Sequence, residues 1–247
     1  MSITDTTTTS STDEGGAVAP AAEAPIPKID LYRDIHKGIR FELFDVTLAA
    51  GRLDCSDRTS TVAFADRVNR LARFLEQHAE HEDGWVQPAI ERHLPAAATR
   101  IAADHAAFEV RFGDIDEMAG ALAQAGGAPA RSIGHEVYLE LGSFVSAYLS
   151  HQDLEERVVM PTLAEVMTPL EILEIHSSII GSIPPPEMAE SLALMIPAMN
   201  VDDRTELLGG MRASAPAEVF AGVWGLVGSV LAPADVAAVA ARLGLDA

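Results

Sequence analysis

His78 and Glu82 stand four residues apart, as do His151 and Glu155, and two further histidines, His36 and His105, precede the first and the second pair in turn. On a helix, residues four apart share a face one turn apart, so each pair aims an imidazole and a carboxylate in one direction. Imidazole nitrogen and carboxylate oxygen together suit iron, manganese or zinc, and one glutamate has the two oxygens needed to span two ions. The chemistry these residue types point to is metal binding.

The surrounding apolar pattern says which way these groups face. Phe64, Val68, Leu71, Leu75, His78, Glu82, Trp85 and Ala89 recur every three or four residues, the stripe a helix buries against a core. Ala98, Ile101, His105, Phe108, Phe112, Ile115, Ala119 and Leu122 make a second stripe, and Leu141, Phe144, Tyr148, His151, Glu155 and Val158 a third. His36 shares a face with Tyr32, Ile39 and Leu43. Six ionisable side chains therefore point into an apolar interior, where an unpaired imidazole or carboxylate costs several kcal/mol unless something compensates. Divalent cations are an economical compensation.

The elements that position these groups are four long helices: about 29–50, about 60–93 ending before Pro95, about 96–123 ending at Gly126-Gly127-Ala128-Pro129, and about 132–166 from a Ser132 cap, with Pro161 bending the last. Short connections favour antiparallel neighbours, an all-α up-down-up-down four-helix bundle. Counted along such helices, His36 and His78 lie roughly 19 and 23 residues from the first connection, His105 and His151 roughly 24 and 22 from the Gly-Pro turn, and Glu82 and His105 roughly 12 and 10 from Pro95. All six groups thus meet at one height, toward one end of the bundle.

Residues beside this set have a structural as well as a chemical reading. His81 is either an outer partner of Glu82 or a solvated flank, and Glu109 either a seventh ligand or a polar edge. Tyr148 packs in the core or hydrogen-bonds at the site, while Trp85 and Phe108 are expected to wall it. Glu140 and His176 read as surface groups, and the methionines at 160, 167, 188, 195, 199 and 211 as adaptable filling.

The remaining chain sets bounds. Residues 1–28, rich in Thr, Ser, Ala, Gly and Pro, are too polar to offset chain entropy and are expected to be disordered. Residues 29–167 form the bundle; 168–247, divided by prolines, are expected to give four or five short helices packed on the bundle or, in a homo-oligomer, on a partner subunit. A net charge of -20 opposes binding to nucleic acid or anionic membranes. Cys55 is the only cysteine, no stretch is long and apolar enough to span a bilayer, and a cytoplasmic location is expected.

The order His36, His78-x-x-x-Glu82, His105, His151-x-x-x-Glu155 resembles the hemerythrin, or HHE cation-binding, family over roughly residues 29–167. Pro88 and Pro161, placed alike after the two His-x-x-x-Glu pairs, strengthen the likeness. The resemblance implies a non-haem di-iron centre with His36, His78, His105 and His151 as terminal ligands and Glu82 and Glu155 as bridges. It also implies an interaction with O2 or a related small molecule. The oxygen-carrying members have a further histidine one turn from the third helix's ligand and an aspartate five residues after the last histidine. Here Ile101 and Glu109 flank His105, and Glu156 stands five after His151. Coordination positions are thereby left to water, to an exogenous ligand, or to Glu109, His81 or Glu156. This favours the sensing and oxidase members over reversible carriers. Two classes follow: a binding or sensing module, or an oxidase or oxygenase acting on a small molecule, with metal storage as a third.

Overall fold

The computed structural model describes residues 29–245, so the tail expected to be disordered, 1–28, lies outside the described residues. Four helical arms form the bundle. Helix α1 (Arg33–Arg52) is the first; α2 (Arg58–His81) runs through a π-helical turn (Glu82–Val86) into α3 (Gln87–His93) as the second. Helix α4 (Pro95–Gln124) is the third, and α5 (Gly127–Leu154) continues through a second π-turn (Glu155–Val159) into α6 (Met160–Val166) as the fourth. Around the ring α2 packs on α4, α4 on α5, α5 on α1 and α1 on α2. Among the described residues there is no strand.

Boundaries differ from the sequence reading where cap chemistry prevailed. Asp57 caps α2 by accepting from the backbone N–H groups of Thr59 and Ser60, so the helix starts at Arg58, ahead of the expected position near 60. Helix α5 starts at Gly127 rather than Ser132, because Pro129 falls in its first turn, where no intrahelical donor is needed. Asp30 accepts from the N–H groups of Tyr32 and Arg33, so α1 starts at Arg33, after the expected position near Ile29.

The π-turns explain the errors in the predicted stripes. In each, an N–H reaches back five residues, from Gln87 to the Glu82 carbonyl and from Met160 to the Glu155 carbonyl. Pro88 and Pro161 follow immediately; in a regular helix each ring would press on the carbonyl four residues back, and the wider turn relieves this. One extra residue per turn rotates everything downstream. Trp85, expected inside, is 42% exposed while Val86 is 1% exposed; Val158 is 44% exposed while Val159 is fully buried. Ile90 likewise takes the inward place expected of Ala89.

The core is split by the polar groups. On one side Ile39, Leu43, Leu75, Phe108, Phe112, Leu141, Phe144 and Tyr148 belong to a long aliphatic and aromatic cluster. On the other, Tyr32, Val86, Ile90, Ile101, Val159, Leu163 and Ile172 close the short end. Ile172 comes from α7 (Pro169–Ser182), which thus helps to cap the bundle.

Four further helices follow: α8 (Pro185–Ala198), α9 (Val201–Ser214), α10 (Ala217–Val230) and α11 (Pro233–Leu243). With α7 they make the upper number the sequence led us to expect. They share a small core of Leu192, Ile196, Leu208, Val227 and Val239. Helix α8 lies against α1 at Gly38, where a Cβ would come within 3.2 Å of the Met195 backbone, so only glycine permits the approach. Lys37 pairs with Asp203, and Arg33 with Glu206 at 3.1 Å, tying α1 to α9 as well. No helix among the described residues is long and apolar enough to cross a membrane.

Candidate metal centre

All six residues singled out in the sequence, His36, His78, Glu82, His105, His151 and Glu155, are buried and face one another. They form two overlapping groups: Glu82, His105, His151 and Glu155, and His36, His78 and Glu82, with the potential ligand atoms of each group within 4.8 Å of one another. Glu82 belongs to both. Its Oε1 lies 3.2 Å from His78 Nε2 and 3.7 Å from His36 Nε2, and its Oε2 lies 3.4 Å from His105 Nε2. Glu155 spans the site in the same way, with Oε1 3.2 Å from His151 Nε2 and Oε2 3.5 Å from His36 Nε2. The Nε2 atoms of His105 and His151 stand 3.2 Å apart, within hydrogen-bond distance of each other.

Two of the outer ring nitrogens, those of His36 and His105, are anchored from behind. His36 Nδ1 is 3.0 Å from Glu156 Oε1, which also accepts from Arg40 at 2.6 Å, and His105 Nδ1 is 2.8 Å from Asp83 Oδ1. Asp104 Oδ2 lies 3.5 Å from His151 Nδ1. A carboxylate on Nδ1 fixes the tautomer that leaves Nε2 free to coordinate and raises its basicity. Glu156 therefore acts behind His36 rather than completing the inner set. Asp83 and Asp104 were missed in the sequence: each neighbours an inward residue, so helical rotation takes it off the stripe, and only packing between helices brings it to a histidine. Glu109 is exposed and His81 half-buried, and neither belongs to either group.

The donor set passes a test of fit. Inside the cluster His36 Nε2, His78 Nε2, Glu82 Oε2 and both carboxylate oxygens of Glu155 are buried without a hydrogen-bond partner. Orphaned polar atoms of this kind cost roughly 1–3 kcal/mol each, more when charged, and cations bound at the two positions would satisfy all five. Without one the charges adjust among themselves. Burial works against a charged His36, but the hydrogen bond with Glu156 and the neighbouring carboxylates of Glu82 and Glu155 outweigh it and raise its pKa from 6.5 to about 9. Burial is likewise outweighed at His105, by Glu82 and Asp83, and its pKa also rises to about 9. At His78 burial prevails, assisted by the other imidazoles, and pushes the pKa down to about 3. Burial and the neighbouring Glu82 raise Glu155, whereas Glu82, despite its burial, is held well below the usual carboxylate range by His78, His105 and His36.

Two tyrosines flank the cluster. Tyr148 belongs to an aromatic group, 5.0 Å from the Phe108 ring and 5.8 Å from that of His151. Phe108 itself lies 5.3 Å from the His151 ring and walls the site as expected. Tyr32 stands one turn before His36, its ring 5.2 Å from that imidazole. Burial and the charges of Glu155 and Glu82 hold both phenols well above their usual pKa.

A four-helix bundle with histidine and glutamate from four arms converging on two overlapping positions defines a class of cation-binding helical proteins. Residues 28–164 match the family model described as the hemerythrin HHE cation binding domain, and the chain belongs to that family. Neither curated proteins nor solved structures yielded a match.

Proposed function

We propose that the protein holds two metal ions, with iron the first choice over manganese or zinc, and binds O2 or a related small molecule as a sensing or binding module. His105 and His151 would serve one ion and His36 and His78 the other, with Glu82 and Glu155 contributing an oxygen to each. The observation that carries this reading is the set of buried Nε2 and carboxylate atoms that lack any protein partner yet face one another. Iron in such a site supplies a Lewis-acid and redox centre. The protein's own part is to hold the imidazoles in one tautomer and to keep bulk water out with the two apolar clusters.

Binding of a small ligand, rather than turnover of a larger substrate, accords with two surface clefts that lie away from the site. A surface cleft of about 380 Å³ is lined by Arg111, Met118, Glu140 and neighbours, and one of about 220 Å³ by Gln87, Glu91 and neighbours; neither touches the six residues. Ile101, fully buried one turn before His105, fills with hydrocarbon a place from which another imidazole would reach inward, which leaves a coordination position free and keeps an oxidase as the second reading. A cytoplasmic location belongs to the same reading, in keeping with a single cysteine and a net charge of -20.

Anaerobic reconstitution with ferrous iron, followed by metal analysis and absorption spectra on admitting air, tests this. Two ions per chain and an oxygen-dependent absorption change are expected; a charge-transfer band that reverses under vacuum assigns a carrier instead, and irreversible oxygen consumption an oxidase. His78→Ala and His151→Ala should each release at least one ion, and retention of two in both variants would remove these residues from the site.

A further inference from the structure

Resting on the metal-binding reading, we propose that the Tyr32 hydroxyl is the hydrogen-bond donor for a small anionic or diatomic ligand that enters the metal positions, and so is a specificity-determining residue of the site. Tyr32 is 1% exposed, and its hydroxyl has no hydrogen-bond partner. Such a hydroxyl in a folded interior calls for a partner that is absent from the protein atoms themselves.

Among the buried side chains of its cluster the one acceptor is the Met160 sulfur, which already accepts from the Leu31 N–H at 3.5 Å. Val86, Ile90, Ile101, Val159, Leu163 and Ile172 are aliphatic. Polar groups lie on the other side, where the ring packs beside His36 at a centroid distance of 5.2 Å and an interplanar angle of 38°. The ring is therefore flanked by hydrocarbon on one side and by His36 on the other.

Its placement is also fixed rather than incidental. The Tyr32 N–H donates to Asp30 Oδ1 at 3.0 Å, and its carbonyl accepts from the His36 N–H at 2.9 Å. Backbone anchoring at both ends ties the ring to the start of the helix that carries His36. A donor held rigidly beside a coordination site discriminates between ligands that can accept a hydrogen bond and those that cannot. Tyr148, on the neighbouring arm α5, differs in belonging to a run of aromatic rings with Phe108 and Phe144.

Azide, a small anion that ligates ferric iron and accepts a hydrogen bond, is the probe. The full-length protein is loaded with iron, oxidised and titrated with azide in wild-type, Tyr32→Phe and Tyr148→Phe forms, and the infrared band of bound azide is recorded in H2O and D2O. Tyr32→Phe should keep two ions per chain, bind azide about tenfold more weakly, or about 1.4 kcal/mol, and lose the D2O sensitivity of the band. Unchanged azide affinity with both ions retained overturns the proposal alone, as does an equal loss in Tyr148→Phe, which would reflect pocket polarity in general. Loss of iron from Tyr32→Phe also overturns it, because the residue would then be serving the metal rather than the ligand. A wild-type protein that takes up no metal is a different failure, since it sinks the underlying reading of the site.

Discussion

His36 and His105 carry protons that a metal ion must displace, because each is raised from 6.5 to about 9 by acidic neighbours that outweigh burial. A histidine whose folded pKa exceeds its unfolded value stabilises the fold fully below the unfolded value, and that contribution is lost as pH rises through the folded one. The metal-free protein should accordingly show a falling thermal midpoint between pH 6.5 and 9, measurable by scanning fluorimetry. Metal uptake should move the other way, strengthening with pH as protons cease to compete. The outer carboxylates give a second expectation at this scale. Asp83→Ala, which removes the partner of His105 Nδ1 without touching an inner donor, should weaken metal affinity roughly 10- to 100-fold in competition with a chelator.

At the scale of elements, the two π-turns hold what periodicity alone did not reveal. Stripes counted in threes and fours found His78, Glu82, His105, His151 and Glu155, since up to each glutamate the helices are regular. Past the glutamates the same counting chose Trp85 and Val158, one residue short of the buried Val86 and Val159. Pro88 and Pro161 were visible and were read as a family mark and a bend, but a proline does not announce whether a helix kinks, stops or widens. Outer partners such as Asp83 and Asp104 depend on which helices touch, which a one-dimensional pattern does not contain. The widened turn can be tested directly. Gly84 is exposed and nothing would meet a side chain there, so deleting it should restore a regular turn while Val86 and Ile90 keep facing inward. Pro88 would then clash, at about 3 kcal/mol, and Pro88→Ala in the deletion background should recover most of that in urea unfolding of the metal-free protein.

Taken as a whole, the molecule joins two hydrophobic cores through one helix. The inner face of α1 supplies His36 to the cluster, while Gly38, Lys37 and Arg33 meet α8 and α9. Gly38→Ala places a methyl group 3.2 Å from the Met195 backbone, which has little room to retreat; a loss of about 1–3 kcal/mol is expected, seen as a thermal midpoint several degrees lower.

That shared helix bears on how the protein can be cut for laboratory use. A fragment ending near residue 167 would retain all six inner residues yet strip the cover from the back of α1, laying bare Gly38 and leaving Lys37 without Asp203 and Arg33 without Glu206. Such a truncation should express as a poorly soluble product, so a shortened chain that fails to retain iron would report on its missing support rather than on its ligands.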